Sequence, residues 1–214
     1  MTGRLYSASD MAKFYCEKCN GCGECCHGMT DTIHLDPWDI AMLSRGTGKT
    51  FLQLLDEGRI ALHEEDGLTL PHLRMQDGEH GACTFLSADG RCSIHPFRPG
   101  LCRLFPLGRD YDADTHTFRY FIVGGGCEMP GRMKVKISKW LGVPDLQEYE
   151  QYITEWHYYL KDVKAYLAAG ADAAFARQLN LFLLKVFFET PYREEADFYD
   201  LFRMRLAQAK SVLS

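Results

Sequence analysis

Five cysteines lie within an eleven-residue stretch near the N-terminus, and no other part of the chain restricts its chemistry as strongly. Their spacing, mostly three residues, allows a short turn to direct successive thiols toward one soft cation. Glycines between them tolerate the backbone angles that such a turn needs. The sequence therefore predicts a thiolate metal site built from Cys16, Cys19, Cys22, Cys25 and Cys26.

Four further cysteines extend this prediction along the chain, and they are Cys83, Cys92, Cys102 and Cys127. Nine thiols are enough for two centres with four thiolates each, whether the metal is zinc or iron in a cluster. Neighbouring side chains commonly point apart, so we expect Cys25 and Cys26 to serve different centres, or one of them to stay free. An odd number of cysteines fits poorly with complete disulfide pairing, so clustered thiols indicate metal or redox chemistry.

The residues around the thiols bear on the choice of metal. The abundance of thiols and the glycines before Cys127, whose amides could approach sulfur closely, favour a [4Fe–4S] cluster over zinc. Arg98 and Arg103 flank the later cysteines, and we predict that they bind an anionic cofactor or substrate. The alternative is that they stabilise the cluster or cap backbone carbonyls. His27 and His95 could each complete a mixed site, although a hydrogen-bonded surface role is the simpler interpretation.

Short helices follow the first cysteine group. Asp36 and Pro37 are typical of a helix start, and we predict a helix through residue 43 that Gly46 ends. A second helix is expected at residues 50–57, closed by a glycine. Residues 46–50 end like a phosphate-binding loop, but the glycine and the preceding strand that this motif requires are missing. We therefore interpret them as a connection between two helices.

Hairpins are expected between and after these helices. Residues 30–35 alternate like a short strand, and residues 60–75 predict a hairpin that turns at an Asp-Gly pair. Residues 83–94 have the same pattern, so their hairpin should bring Cys83 and Cys92 close together. Residues 118–123 form a further strand-like run.

The composition changes near residue 130. From residue 145 onward, apolar and aromatic residues recur every three or four positions, which predicts an amphipathic helix ending near residue 170. Similar stripes predict a second helix over residues 175–186 and a third over residues 194–209. We interpret the aromatic stripe as core rather than as a cofactor pocket. These helices are expected to pack against the cysteine domain or to bind a protein partner.

Composition excludes several classes of protein. The chain has 214 residues, a net charge of −5 and no basic block, which argues against a nucleic-acid-binding face. No apolar run approaches the roughly 20 residues that span a bilayer. Residues 1–10 are polar and do not resemble a secretory signal, so we expect a cytoplasmic protein without a membrane partner.

The cysteine motifs resemble a known family. Residues 19–26 are similar to the signature of the CxxCxxCC, or YkgJ-type, cysteine-cluster family, which is described as chelating zinc or iron and is often assigned iron–sulfur clusters. The segments around Cys83, Cys92 and Cys102 resemble its second signature, and Cys127 resembles its closing cysteine. His95 stands where tyrosine is expected, and Cys16 is an additional thiol. Flagellin lysine N-methylases share this signature, which implies a methylation-linked activity, but the chain shows no recognisable S-adenosylmethionine motif.

Together these features predict an α+β protein with two parts. Residues 1–130 would form a small, irregular cysteine-rich metal domain with short β-hairpins, and residues 131–214 an all-α segment of about three helices. The leading function is a cytoplasmic metal-binding protein that holds an iron–sulfur cluster or zinc, with a redox or methylation-linked role. The alternatives are a noncatalytic zinc-stabilised interaction module and a metal-delivery protein.

Overall fold

The computed structural model describes residues 3–15, 22–78, 80–124, 131–170, 172–193 and 195–213. Three of the nine predicted metal ligands, Cys16, Cys19 and Cys127, lie outside the described residues. The described chain has six strands and seven α-helices in a mixed α/β arrangement. In chain order these are β1 (Met11–Tyr15), α1 (Pro37–Thr47), α2 (Phe51–Asp56), β2 (Ile60–Glu65), β3 (Leu68–Leu73), α3 (Gly100–Leu104), β4 (Leu107–Asp112), β5 (Thr117–Ile122), β6 (Met133–Lys136), α4 (Ile137–Leu141), α5 (Leu146–Ala168), α6 (Ala173–Leu184) and α7 (Phe198–Lys210).

The strands form three separate antiparallel pairs, β1 with β6, β2 with β3, and β4 with β5. The predicted hairpin at residues 60–75 is confirmed, with Asp66 and Gly67 in the turn. The strand-like run at residues 30–35 amounts to a single bridge between His34 and His72. The strand predicted at residues 118–123 corresponds to β5 and pairs with β4, which the sequence pattern did not indicate.

Helices α1 and α2 follow directly on one another. The Asp36 side chain caps α1 by accepting a hydrogen bond from the backbone of Asp39. The predicted end at Gly46 is wrong, because the helix continues to Thr47 and ends at Gly48, which adopts the left-handed conformation. Gly46 instead lies against the ring of Phe97, where a side chain would collide. Thr50 caps α2, so residues 48–50 connect the two helices, whereas Gly46 and Thr47, which were predicted to belong to this connection, lie in α1.

The C-terminal part has more helices than predicted. Helices α5, α6 and α7 correspond to the three amphipathic stripes, and α6 continues into a π-helical turn at Lys185–Glu189. The short helix α4 was not predicted, so the C-terminal segment has four α-helices rather than about three, and the described chain has seven in total. Helix α4 depends on distant partners, since the amides of Ile137 and Ser138 bond the carbonyls of Asp10 and Ala8.

One hydrophobic core runs through the described parts of the molecule. The aromatic stripe of α5 is buried, as predicted, and Tyr149 packs edge-on against Trp38 of α1 at 5.1 Å between ring centroids. Phe51 of α2 lies 5.9 Å from Phe188 in the π-helical turn. The cysteine-bearing segments and the C-terminal helices thus share buried surface. The division into two folding units near residue 130 stays a prediction.

Candidate metal centre

Cys83 and Cys92 are held on the two sides of a short turn. Backbone bonds from Ser87 to Arg91 (2.8 Å) and from Ser93 to Phe85 (2.9 Å) close this turn, as the hairpin prediction required, although the paired segments are too short to form strands. The Cys83 thiol accepts a hydrogen bond from the amide of Phe85, and the Cys92 thiol accepts one from the amide of Ile94. Such amide–sulfur bonds stabilise thiolates and tune metal–thiolate sites.

A backbone hydrogen bond connects the first cysteine group to this turn. Cys25 and Cys26 lie on a single 3₁₀ turn, Glu24–Cys26, and the Cys26 carbonyl accepts a 2.7 Å hydrogen bond from the amide of Cys83. The two adjacent thiols lie close enough to interact, because Cys26 lowers the pKa of Cys25 and Cys25 raises that of Cys26. Their assignment to separate centres stays a prediction.

Cys102 lies on α3, and a hydrogen bond to α1 holds the start of that helix in place. The amide of Gly100 donates a 2.7 Å hydrogen bond to the Oδ1 of Asp39, whose side chain is 1% exposed. A side chain at Gly100 would collide with the hydroxyl of Tyr149. The position of Cys102 therefore depends on residues of α1 and α5 that are far away in sequence.

The electrostatics of the thiols reflect their proximity. Burial raises the pKa of Cys102, and the negative charges of Asp39, Cys83, Cys25 and Cys92 raise it further. Burial also raises the pKa values of Cys83 and Cys92. The hydrogen bond from Cys26 lowers the pKa of Cys25 to about 6, with help from the nearby charge of Arg98. The same bond, together with burial, raises the pKa of Cys26.

The donor chemistry of this region fits a thiolate-bound metal. Cys25, Cys26, Cys83, Cys92 and Cys102 come from three separate segments and act electrostatically on one another. Thiols with raised pKa values are protonated at neutral pH, and a bound cation would reverse this by displacing their protons. Within the described ranges, however, no three cysteine, histidine, aspartate or glutamate side chains are arranged to hold a metal ion. The described thiols therefore lie in one region of the molecule, but they do not form a complete coordination sphere for a metal.

The remaining candidates are placed differently. Cys22 is partly buried at the start of the described segment. The His27 ring lies 3.1 Å from the Gly23 carbonyl, and the Nε2 of His95 accepts a 2.8 Å hydrogen bond from Arg98. Both histidines thus have hydrogen-bond partners within their own loops, in line with the simpler interpretation.

The two predicted arginines have distinct environments. Arg103 is 9% exposed, bonds the carbonyls of Arg98, Pro96 and Gly142, and lies over the Trp38 ring. All three of its guanidinium nitrogens are used in this way, which matches the carbonyl-capping alternative. Arg98 lies near the thiols of Cys25 and Cys92, and its buried Nε has no partner among the described residues.

A cluster of buried polar side chains near the start of α3, the helix of Cys102, was not predicted. The carboxylates of Asp36 and Asp39 lie near the hydroxyl of Tyr152 and the guanidinium of Arg109, and Arg109 in turn reaches Tyr149. Asp36 was recognised only as a helix cap. The capping spacing could have indicated that one carboxylate oxygen of Asp39 accepts a hydrogen bond from the amide of Asp36. Nothing in the sequence indicates that the other oxygen accepts one from the amide of Gly100.

Residues 18–120 match the model of the CxxCxxCC family, described as a "putative zinc- or iron-chelating domain". The match includes Cys19, Cys22, Cys25, Cys26, Cys83, Cys92 and Cys102, whereas Cys16 and Cys127 lie outside it. Residues 18–120 are therefore similar to the CxxCxxCC family, as the motifs predicted. Searches of curated proteins and of solved structures found no significant match. None of the described helices combines the length and apolar character that crossing a membrane requires.

Proposed function

We propose that this protein binds metal through its clustered cysteines, and that the bound species is an iron–sulfur cluster. The observation that supports the proposal is that thiols from three segments, residues 25–26, 83–92 and 102, are close enough to influence one another's pKa values, with the Cys26 carbonyl bonded to the Cys83 amide. Apolar packing alone does not require thiols at all of these positions. Cys22 and the cysteines outside the described residues, Cys16, Cys19 and Cys127, are proposed to supply further ligands.

The preference for an iron–sulfur cluster over zinc rests on the excess of cysteines over nearby histidines, and the charges and amide donors around the thiols are compatible with it. A cluster held by four thiolates carries net negative charge, and amide donors and cations around it stabilise that charge. The amides of Phe85 and Ile94 bond the thiols of Cys83 and Cys92, and Arg98 supplies a positive charge near Cys25 and Cys92. When bound, the cluster would supply electron-transfer chemistry, in a cytoplasmic setting. A methylation-linked role is the alternative that the family resemblance implies.

The test is metal content in the full-length protein, purified without oxygen. We expect stoichiometric iron and sulfide with visible absorption, and we expect Cys102→Ser to lose most of the bound metal even though the first cysteine group is intact. The matched control is Leu101→Ala, which removes a partly buried side chain from the same helix but keeps every thiol.

Each outcome separates the alternatives. Stoichiometric zinc without visible absorption would support the zinc-stabilised module instead of the cluster. Unchanged metal content in Cys102→Ser would contradict a site shared between the cysteine groups. An equal loss in Leu101→Ala would assign the effect to packing rather than to the thiol.

A further inference from the structure

A cavity of about 510 Å³ lies between α5, the β4–β5 hairpin and α7, and none of the cysteines lines it. Its lining comes from α5, from the hairpin turn and the first residues of β5, and from Lys210 at the end of α7. Its volume is within the range of small-molecule sites, which is roughly 300–1,000 Å³. The cavity is therefore large enough for an organic ligand.

The charged residues in the lining of this cavity are mostly acidic. Glu150, Glu155 and Asp162 all contribute from α5, against one lysine and no arginine in the described lining. Glu155 and Asp162 are seven residues apart, so they lie on nearly the same face of the helix and about 10 Å apart along its axis. Two carboxylates in this arrangement suit a ligand that carries more than one positive charge along its length.

Two polar atoms in the cavity wall lack protein partners. Tyr159 is 1% exposed, and its hydroxyl has no hydrogen-bond partner among the described residues. The Oε2 of Glu155 is also shielded and without a partner there, while its Oε1 accepts a bond from Gln151 (2.8 Å). Buried polar groups are nearly always hydrogen-bonded, so two such atoms, one turn apart on α5, indicate that a donor from outside the chain is expected here.

Hydrogen bonds and ring stacking hold Glu150 and the aromatic residues of the cavity in place. The hydroxyl of Tyr120 donates a 2.7 Å hydrogen bond to Glu150, and the hydroxyl of Tyr158 bonds the Asp112 carbonyl at 2.7 Å. The ring of His116 stacks on Tyr158 with 4.0 Å between centroids, and Phe118 also lines the cavity. These aromatic rings form an apolar surface against which the methylene groups of a ligand could pack.

We propose that this cavity binds an aliphatic polyamine. Its ammonium groups would donate hydrogen bonds to Glu155, Asp162 and the hydroxyl of Tyr159, and its methylene chain would lie against the aromatic wall. A single inorganic cation would leave most of the cavity unfilled. The proposal is independent of the metal centre, because it uses no cysteine.

The test is calorimetric titration of the full-length protein with spermidine at moderate salt. We expect saturable binding at one site, and we expect Glu155→Gln and Asp162→Asn each to weaken it about tenfold, since hydrogen bonds to charged groups contribute roughly that much. Tyr159→Phe, which removes only the unpartnered hydroxyl, should weaken binding severalfold. The Cys102→Ser variant should bind spermidine normally when its helices are folded, which separates this proposal from the metal proposal.

The control is Glu64→Gln, which changes net charge equally at an exposed position on β2 outside the cavity. Binding in this variant should equal that of the parent protein. Absence of saturable binding would overturn the proposal, as would an unchanged affinity in the Glu155→Gln/Asp162→Asn double variant. Equal weakening in Glu64→Gln, or equally effective competition by magnesium, would show only a general attraction of cations to an acidic protein.

Discussion

Two adjacent buried polar regions of this protein differ in how their polar groups are satisfied. In the carboxylate cluster at the start of α1, Asp36 and Asp39 accept backbone hydrogen bonds from α1 and α3, and Arg109 and Tyr152 lie beside them. In the cysteine region, Cys25 and Cys26 bond each other, Cys83 and Cys92 each accept a bond from one amide, and burial raises the pKa values of Cys83, Cys92 and Cys102. The carboxylates of the first region find their partners within the protein, whereas the buried thiols of the second would be stabilised as thiolates by a bound cation.

The two regions are joined by one hydrogen bond. The carboxylate of Asp39 accepts from Gly100, which begins the helix that carries Cys102. The carboxylate cluster can therefore position part of the cysteine region even without metal. This link suggests experiments that perturb one region and measure the other.

Metal removal should have the largest effect. We expect a chelator to abolish hydrogen-exchange protection across residues 22–124 while α5, α6 and α7 stay protected, because ligation of a structural metal contributes on the order of 10 kcal/mol to folding. Exchange measured by mass spectrometry on the full chain would check this. Simultaneous loss of protection in α5 would contradict the division near residue 130, since α1 and α5 share the core contact between Trp38 and Tyr149.

Removing the link between the regions should have the next largest effect. Asp39→Ala leaves the buried amides of Gly100 and Asp36 without an acceptor, so we expect it to lower the free energy of unfolding by about 2–4 kcal/mol and to reduce bound metal. Asp39→Asn keeps an acceptor oxygen and should have a smaller effect. Asp56→Ala, at an exposed position at the end of α2, should change stability by less than about 0.5 kcal/mol. Full metal retention in Asp39→Ala would show that the link does not position Cys102.

The two arginines should separate stability from metal binding. Arg103→Ala removes bonds to three carbonyls and the contact with Trp38, so we expect it to lower stability by about 2–3 kcal/mol. Arg98→Ala should leave the melting temperature almost unchanged but weaken metal retention, since its charge acts on Cys25 and Cys92. Chemical denaturation and metal analysis of both variants would check this. The reverse pattern would exclude an electrostatic role for Arg98.

The smallest effect is expected from a histidine outside both regions. Burial, with the charges of Lys161 and Arg109, lowers the pKa of His157, which stacks on Tyr111 at 3.6 Å. Its contribution to stability is therefore complete above the ordinary pKa near 6.5 and is lost as the pH falls below it, because the unfolded chain takes up the proton first. His157→Phe should keep the stacking and flatten the stability profile between pH 7 and 5. An unchanged slope would assign the pH dependence to other groups, such as His72 and His95, whose pKa values are also lowered.

Local patterns were sufficient for some elements and misleading for others. The alternation around Asp66-Gly67 predicted β2 and β3, and the aromatic spacing predicted α5, because each pattern reflects burial of one face of a single continuous segment. Gly46 was misleading, since the helix continues through it where it meets Phe97. Helix α3 and the pairing of β1 with β6 had no local signal. The latter joins Met11 to Lys136, and such distant pairing leaves no periodicity in either segment.

The sequence by itself determined the chemistry of the candidate site, because closely spaced cysteines can be recognised without knowing where they lie, and the family model agrees with that recognition. Only the tertiary structure decided which described thiols lie near one another and that Asp39 supports the helix of Cys102. It also decided that Arg103 bonds backbone carbonyls, whereas the charge of Arg98 acts on Cys25 and Cys92. It also revealed the acidic cavity over α5. The physical reason is that residue type and spacing specify which bonds a side chain can make, whereas packing between distant segments specifies which partners are within reach.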